Sequence, residues 1–120
     1  MSLFLLAAGL MLGTLPPQPF PPGSGCAIFL WTRGDPAVRV AMLSEATATL
    51  RIMDGNVLRD LPRLPEPGAY GNESIAVRLD LTLEANPLIA NGTVATGALF
   101  IERPGKDELA LSVGGVRACV

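Results

Sequence analysis

The stretch "ESIAVRLDLTLE" (residues 73–84) carries the clearest structural signal in this chain. Large apolar side chains alternate there with small or polar ones, a period of two that is typical of a strand with one buried and one solvated face. Such clean alternation belongs to antiparallel sheets, because parallel strands are usually buried on both faces. The segment therefore predicts an antiparallel strand whose odd-numbered side chains enter a core. These side chains are Ile75, Val77, Leu79, Leu81 and Leu83.

Turn signals divide the remaining chain into further short strands. Asp54-Gly55 is a strong hairpin signal, and Pro104-Gly105 suits a type II turn. Gly114-Gly115 predicts a bulge or bend before the last strand. The flanking stretches predicted as strands are 26–32, 37–43, 47–53, 56–61, 94–102, 107–113 and 116–120.

One stretch, residues 38–50, is also compatible with a helix, but Thr47, Thr49 and the hairpin turn that follows favour a strand. The connections 62–72 and 85–93 are expected to be long loops across an end of the sheet. Seven or eight short strands without a clear helix predict an all-β fold. Both an antiparallel β-sandwich and a small β-barrel satisfy this pattern.

The chain divides into a signal-like apolar segment at residues 1–15, a proline-rich spacer at 16–25 and a folded domain at 26–120. The apolar run from 3 to 12 is too short to span a bilayer but suits the hydrophobic region of a secretory signal. No basic residue precedes the run and no small-x-small cleavage site follows it, so a buried apolar tail is the alternative. We expect export to the periplasm or the cell exterior.

The two cysteines, Cys26 and Cys119, open and close the predicted domain. Exported domains with two cysteines usually pair them, so we predict a disulfide between them. Two alternatives stay open. Cys26 could carry a lipid, although its distance from the apolar run suits a lipoprotein signal poorly, or both thiols could be unlinked.

Composition argues against several classes of function. The net charge is −2 and the nine basic residues are scattered singly, which does not suit a nucleic-acid-binding protein. The chain has no histidine, the commonest general base and metal ligand. Nothing in the sequence brings two carboxylates together for acid–base chemistry. We therefore expect no enzymatic activity, no cofactor and no metal site.

Three aromatic residues are candidates for contact with a partner or ligand. Phe29 and Trp31 share one face of the first strand, and Tyr70 lies in a loop punctuated by proline and glycine. The alternative for the first two is that one face of their strand fills the core while a loop covers the other. The tripeptide Arg33-Gly34-Asp35 suggests cell adhesion, but an ordinary turn explains it better.

The strand "CAIFLW" (26–31), the Asp-Gly hairpin and the closing "GVRAC" (115–119) resemble a group of small exported alphaproteobacterial proteins. These open their domain with a Cys-x-x-Phe-Leu-Trp-like strand and end in Gly-Val-x-Ala-Cys. The resemblance implies export and assigns no activity.

The leading hypothesis is a non-catalytic exported β domain that binds a protein or an envelope component through loops and a sheet edge. The first alternative is a carrier of a small hydrophobic ligand with a cavity inside a barrel. The second is an accessory domain tethered to the membrane as a lipoprotein, so that only the amino-terminal segment contacts the membrane.

Overall fold

A computed structural model describes residues 12–19, 25–85 and 92–119 of the chain. These residues form a single sheet of eight antiparallel strands, in the order β4-β3-β2-β1-β8-β7-β6-β5. They contain no helix long and apolar enough to cross a bilayer. The strands are β1 (Cys26–Thr32), β2 (Arg39–Ser44), β3 (Thr49–Asp54), β4 (Val57–Pro62), β5 (Ala69–Gly71), β6 (Ala76–Glu84), β7 (Thr93–Glu102) and β8 (Leu109–Cys119).

The strand order describes an up-and-down meander that curls into a nearly closed barrel. β1 to β4 pair in sequence order, as do β5 to β8, and β1 pairs with β8. An isolated bridge between Arg63 and Tyr70 joins the β4 side to β5. The predicted all-β class is confirmed, and the eight strands form one nearly closed, barrel-like sheet.

The barrel interior is packed with aliphatic side chains. In β6, Val77 is fully buried and Leu79 and Leu81 pack against the core, as the alternation predicts. Toward the end of the same strand Leu83 is 43% exposed, because the strand outruns the core there. The central side chains come from every long strand and include Leu30, Leu50, Ile52, Leu61, Val77, Leu99, Ile101 and Val113.

The disulfide predicted between Cys26 and Cys119 is confirmed, and the two residues face each other directly in the β1–β8 ladder. β8 continues without a break through Gly114-Gly115, and the β7–β8 ladder has a register shift at this level, where a bulge or bend was predicted. The irregularity lies opposite, in β7, between Val94 and Ala98. Gly115 allows close pairing at this point, since an added Cβ would collide with the carbonyl oxygen of Phe29 on β1.

The predicted loop at residues 62–72 contains a strand, β5. Its three residues are too few for a periodic pattern, so the sequence shows no strand signal there. A tight turn then leads into β6. The side-chain oxygen of Asn72 accepts hydrogen bonds from the backbone N–H groups of Ser74 and Ile75, at 2.7 and 3.0 Å.

Residues 12–19, which we call the strap, pack against the barrel. The N–H of Gly13 donates to the carbonyl of Met53, and the N–H of Leu15 donates to the carbonyl of Arg39, both at 2.8 Å. Leu15 is buried, as expected if the amino-terminal apolar run is a buried tail, the alternative to a secretory signal. The signal segment, the spacer and the domain boundaries stay predictions, because residues 1–11, 20–24 and 120 lie outside the described residues.

Candidate functional site

The seam between β4 and β5 is where the barrel is least closed. β5 has only three residues and pairs with the first three residues of β6, from Ala76 to Arg78. Two contacts join β5 to the chain just after the last residue of β4. They are the Arg63–Tyr70 bridge and a hydrogen bond of 2.8 Å from the Leu64 N–H to the Ala69 carbonyl. The body of β4 therefore has β3 on one side and, among the described residues, no ladder on the other.

The direction of the backbone groups in β4 follows from this contact. Successive residues of an antiparallel strand turn their N–H and C=O groups to opposite sides. Because Leu64 bonds toward β5, the even-numbered residues Leu58 and Asp60 direct their backbone groups toward the seam. Arg59 and Leu61 direct theirs toward β3. The seam edge of β4 thus presents a row of backbone groups that an added strand can pair with.

Exposed apolar side chains concentrate on the two strands that flank β5. The large apolar residues with high exposure among the described residues are Val57 (48%), Leu58 (46%) and Leu83 (43%). Val57 and Leu58 are the first two residues of β4, and Leu83 is the last residue but one of β6. Val57 and Leu58 are consecutive, so they project from the two faces of the β4 edge. This combination of a free edge and exposed apolar side chains makes β4 the candidate binding site.

Charged residues surround the candidate site. Arg51 on β3 makes a two-pronged ion pair with Asp60, at 2.7 and 3.0 Å, and these hydrogen bonds lower the pKa of the Asp60 carboxyl. At the top of β3, Asp54 accepts a hydrogen bond from Arg103 at 2.9 Å and lies 4.0 Å from Arg59. Charges on an edge strand discourage indiscriminate pairing with other sheets. These charges leave the edge available to a partner that carries opposite charges at the facing positions.

Tyr70, predicted as a loop aromatic, lies on β5 itself. Its side chain is half-buried and packs against the barrel core, opposite Val77 in the β5–β6 ladder. Tyr70 also forms the bridge with Arg63 that limits the seam. It therefore borders the candidate site, and its predicted role in ligand contact stays a prediction.

Phe29 and Trp31 lie on the outer face of β1, four strands around the sheet from β5. Phe29 packs with Ala27, Met42 and Leu15 in a second, smaller apolar cluster outside the barrel, and Trp31 is half-buried. This is the arrangement in which one face fills the core and another segment covers the other face. The structure does not bring Phe29 and Trp31 together with Tyr70.

A groove of about 190 Å³ on the outer face of β5 to β7 was not predicted. The guanidinium of Arg78 lies 4.1 Å from the centre of the Phe100 ring, and Glu66, Glu102 and Glu108 line the rim. Sequence offers no signal for it, because Arg78 and Phe100 become neighbours only through the register of β6 and β7.

Comparison with protein-family models, curated proteins and solved structures finds no match to this chain. The resemblance to exported alphaproteobacterial proteins therefore stays a prediction.

Arg33, the first residue of the adhesion-like tripeptide, is occupied by bonds within the barrel. Its guanidinium donates hydrogen bonds to the carbonyls of Val94 (3.1 Å), Ala95 (2.7 Å) and Val113 (3.1 Å). Two of these carbonyls lie in the irregular part of β7, where the ladder with β8 is interrupted. The side chain thus satisfies backbone groups that the irregularity leaves unpaired, which supports the turn interpretation.

Several carboxylates are also engaged by arginine. At the disulfide end of the barrel, Arg117 donates to Glu45 at 2.7 and 2.9 Å, and these hydrogen bonds lower the pKa of the Glu45 carboxyl. In the described part of the chain, Glu45, Asp54 and Asp60 are thus held in ion pairs. Among the described residues, no three His, Cys, Asp or Glu side chains are grouped so that they could hold a metal ion.

Proposed function

We propose that this protein is a non-catalytic exported domain that binds an extended segment of a protein or envelope component along the seam edge of β4. The observation that carries the proposal is the side of β4 that pairs with no strand in the described part of the chain, where Val57 and Leu58 are about half exposed. Strand addition draws affinity from backbone hydrogen bonds and specificity from alternate side chains. Both elements are present on β4.

The chemistry of the partner follows from the edge. An added strand would pair with the backbone groups of Leu58 and Asp60 and place apolar side chains beside Val57 and Leu58, where cross-strand pairs stabilise sheets. Arg59 and Asp60 carry opposite charges, so the best ligand has a charged residue of either sign among its apolar ones. We infer an extended peptide with alternating apolar residues.

The same geometry bears on the alternatives. A small-molecule carrier needs free volume inside the barrel, whereas the inward side chains of the described strands pack against one another. A lipid on Cys26 needs a free thiol, whereas this sulfur is bonded to Cys119. The disulfide is consistent with an oxidising compartment, and we propose the periplasm or the cell exterior as its location.

The test uses peptides selected from a random library displayed on phage, with the intact protein as bait. Amide hydrogen exchange is then followed by NMR with and without a selected peptide. We expect slower exchange at Leu58 and Asp60 and no change at Arg59 and Leu61, whose N–H groups already bond to β3. This alternation is specific to strand addition at the seam edge.

Two variants at one position separate the backbone from the side chain. Leu58→Pro removes the N–H that faces the seam while sparing the bonds to β3, a placement that edge strands tolerate. Leu58→Ala keeps that N–H and is the matched control. We expect Leu58→Pro to raise the Kd of a selected peptide by about 10-fold or more relative to the native chain. Leu58→Ala should raise the Kd by less. Equal losses, or protection confined to another surface, would refute the proposal.

A further inference from the structure

The strap enters a split between β2 and β3. These strands pair from Ser44 and Thr49 up to Ala41 and Ile52, and beyond that point they diverge. The carbonyls of Arg39 and Met53 lie above the split, where Leu15 and Gly13 of the strap donate hydrogen bonds to them. The strap therefore takes the place of the missing ladder.

The two leucines of the strap are held on opposite sides of the sheet. Leu12, 9% exposed, joins the main core of the barrel, while Leu15, 2% exposed, joins Ala27 and Met42 in the outer cluster. Between them, Gly13 lies so close to the β3–β4 turn that an added Cβ would come within 2.6 Å of the Gly55 carbonyl oxygen. The split thus selects for a leucine, a glycine, any residue and a second leucine.

Two arginines of the barrel hold the rest of the strap. The Nε of Arg39 donates to the carbonyl of Leu15 at 3.3 Å, and Nη1 of Arg51 donates to the side-chain oxygen of Gln18 at 2.9 Å. Gln18 in turn donates to the carbonyl of Pro16 at 2.9 Å, which keeps this part of the strap in shape. Backbone bonds, apolar pockets and polar clamps are the features of a site that recognises an extended peptide.

We propose that the split between β2 and β3 is a second peptide-recognition site, filled within this chain by its own residues 12–18. If export removes residues 1–15, as the signal-like segment predicts, both leucines leave with them. The site is then open to an extended Leu-Gly-x-Leu segment of a partner protein. This site lies between β2 and β3, so β3 separates it from the β4 edge, although Arg51 contacts both the strap and Asp60 on β4. Its test uses a different peptide, so the result of one test does not decide the other proposal.

The experiment makes the strap separable without deleting it. In the full chain, residues 20–24 are replaced by a protease recognition sequence, and the purified protein is cut there. A fluorescent peptide with the sequence of residues 12–19 is then titrated into the cut and uncut proteins. A tethered strap acts at an effective concentration in the millimolar range. Labelled peptide at tens of micromolar should therefore bind the uncut protein about 100-fold less than the cut one.

Two peptide variants identify what is recognised. Leu15→Asp places a charge in the outer cluster and should abolish binding. Thr14→Ser changes an exposed residue of the strap and should bind like the native peptide. Loss of the β-sheet circular dichroism after cutting would overturn the proposal, because the strap would then be an inseparable part of the core. So would failure of the labelled peptide to enter the cut protein, equal binding to cut and uncut proteins, or normal binding of the Leu15→Asp peptide.

Discussion

Removal of the disulfide offers the most direct test of how this small barrel is held together. Cys26 and Cys119 face each other on the two terminal strands, with a sequence separation of 93 residues. The bond therefore encloses nearly the whole domain in one covalent loop. Reducing it leaves the β1–β8 ladder available in the folded state and enlarges the set of conformations open to the unfolded chain.

The magnitude follows from the size of that loop. In the chain-entropy description, cross-linking a loop of about 93 residues lowers the unfolded-state entropy by about 16 cal/mol/K, which is about 4.6 kcal/mol at 25 °C. Domains of this size have net stabilities of about 5–15 kcal/mol, so the loss would be a large share of the total. In a melting experiment it corresponds to a fall in Tm of roughly 20 °C or more.

The assay is urea unfolding followed by the fluorescence of Trp31, the only tryptophan in the chain. Adding reductant should lower the midpoint by roughly 3 M at an m value of about 1.5 kcal/mol/M. It should also raise the m value, because the unlinked unfolded chain exposes more surface. The double variant Cys26→Ser/Cys119→Ser is the control: it should match the reduced protein and be indifferent to reductant.

A difference of less than about 1 kcal/mol between the oxidised and reduced proteins, with the same m value, would refute this stabilising role of the disulfide. The loop would then contribute little through the unfolded state. A drop in the midpoint of the serine double variant on addition of reductant would show instead that the reagent acts elsewhere.

Five further substitutions test local packing and charge. Gly115→Ala should cost at least about 2 kcal/mol in urea unfolding because its Cβ would collide with a backbone carbonyl of β1. Gly114→Ala should cost less, because its Cβ would lie 3.3 Å from the Arg33 guanidinium, which needs to shift by only a few tenths of an ångström. Arg33→Ala should cost about 1.5–3 kcal/mol because three backbone carbonyls lose their donor, while Asp35→Ala should stay within about 0.5 kcal/mol; equal effects would contradict the structural role of the arginine. The pKa of Glu45 is lower in the folded state than its ordinary value of 4.5, so its contribution is present above about pH 4.5 and lost as the pH falls through the lowered pKa. Glu45→Gln should therefore cost under about 1 kcal/mol at pH 7 and nothing in acid; a cost that persists in acid would rule out the ion pair as its cause.

Much of the fold could be read from local pattern. The alternation from Val77 to Leu83 predicted β6, and the Asp54-Gly55 turn predicted the β3–β4 hairpin. Both depend on neighbouring residues, which is why sequence alone sufficed. β5 escaped detection because three residues carry no period. The bulge or bend expected at Gly114-Gly115 is a register shift whose extra residue lies in β7, and Gly115 allows close pairing with β1, a contact between residues far apart in the chain.

The candidate sites were less predictable. The sequence predicts a role for a sheet edge, but it cannot indicate which strand pairs on one side only, since this depends on how short β5 is. It singled out Phe29 as an exposed or covered aromatic, and the strap proved to cover it. Tyr70 was assigned to a loop because the prolines and glycines around it are typical of turns, whereas it lies on β5.

The amino-acid sequence by itself determined the all-β class and the approximate strand count, and it predicted the pairing of Cys26 with Cys119 over two alternatives. These depend on side-chain period, turn chemistry and the placement of cysteines. Neighbouring residues or simple counts in the sequence reveal all three. Only the tertiary structure decided that the sheet curls into a nearly closed barrel, that β4 pairs on one side only within the described residues and that the strap enters between β2 and β3. Each of these features is set by the register and length of strands that are distant in the sequence. The free energy of such contacts depends on both strands together, so neither strand's sequence predicts it alone.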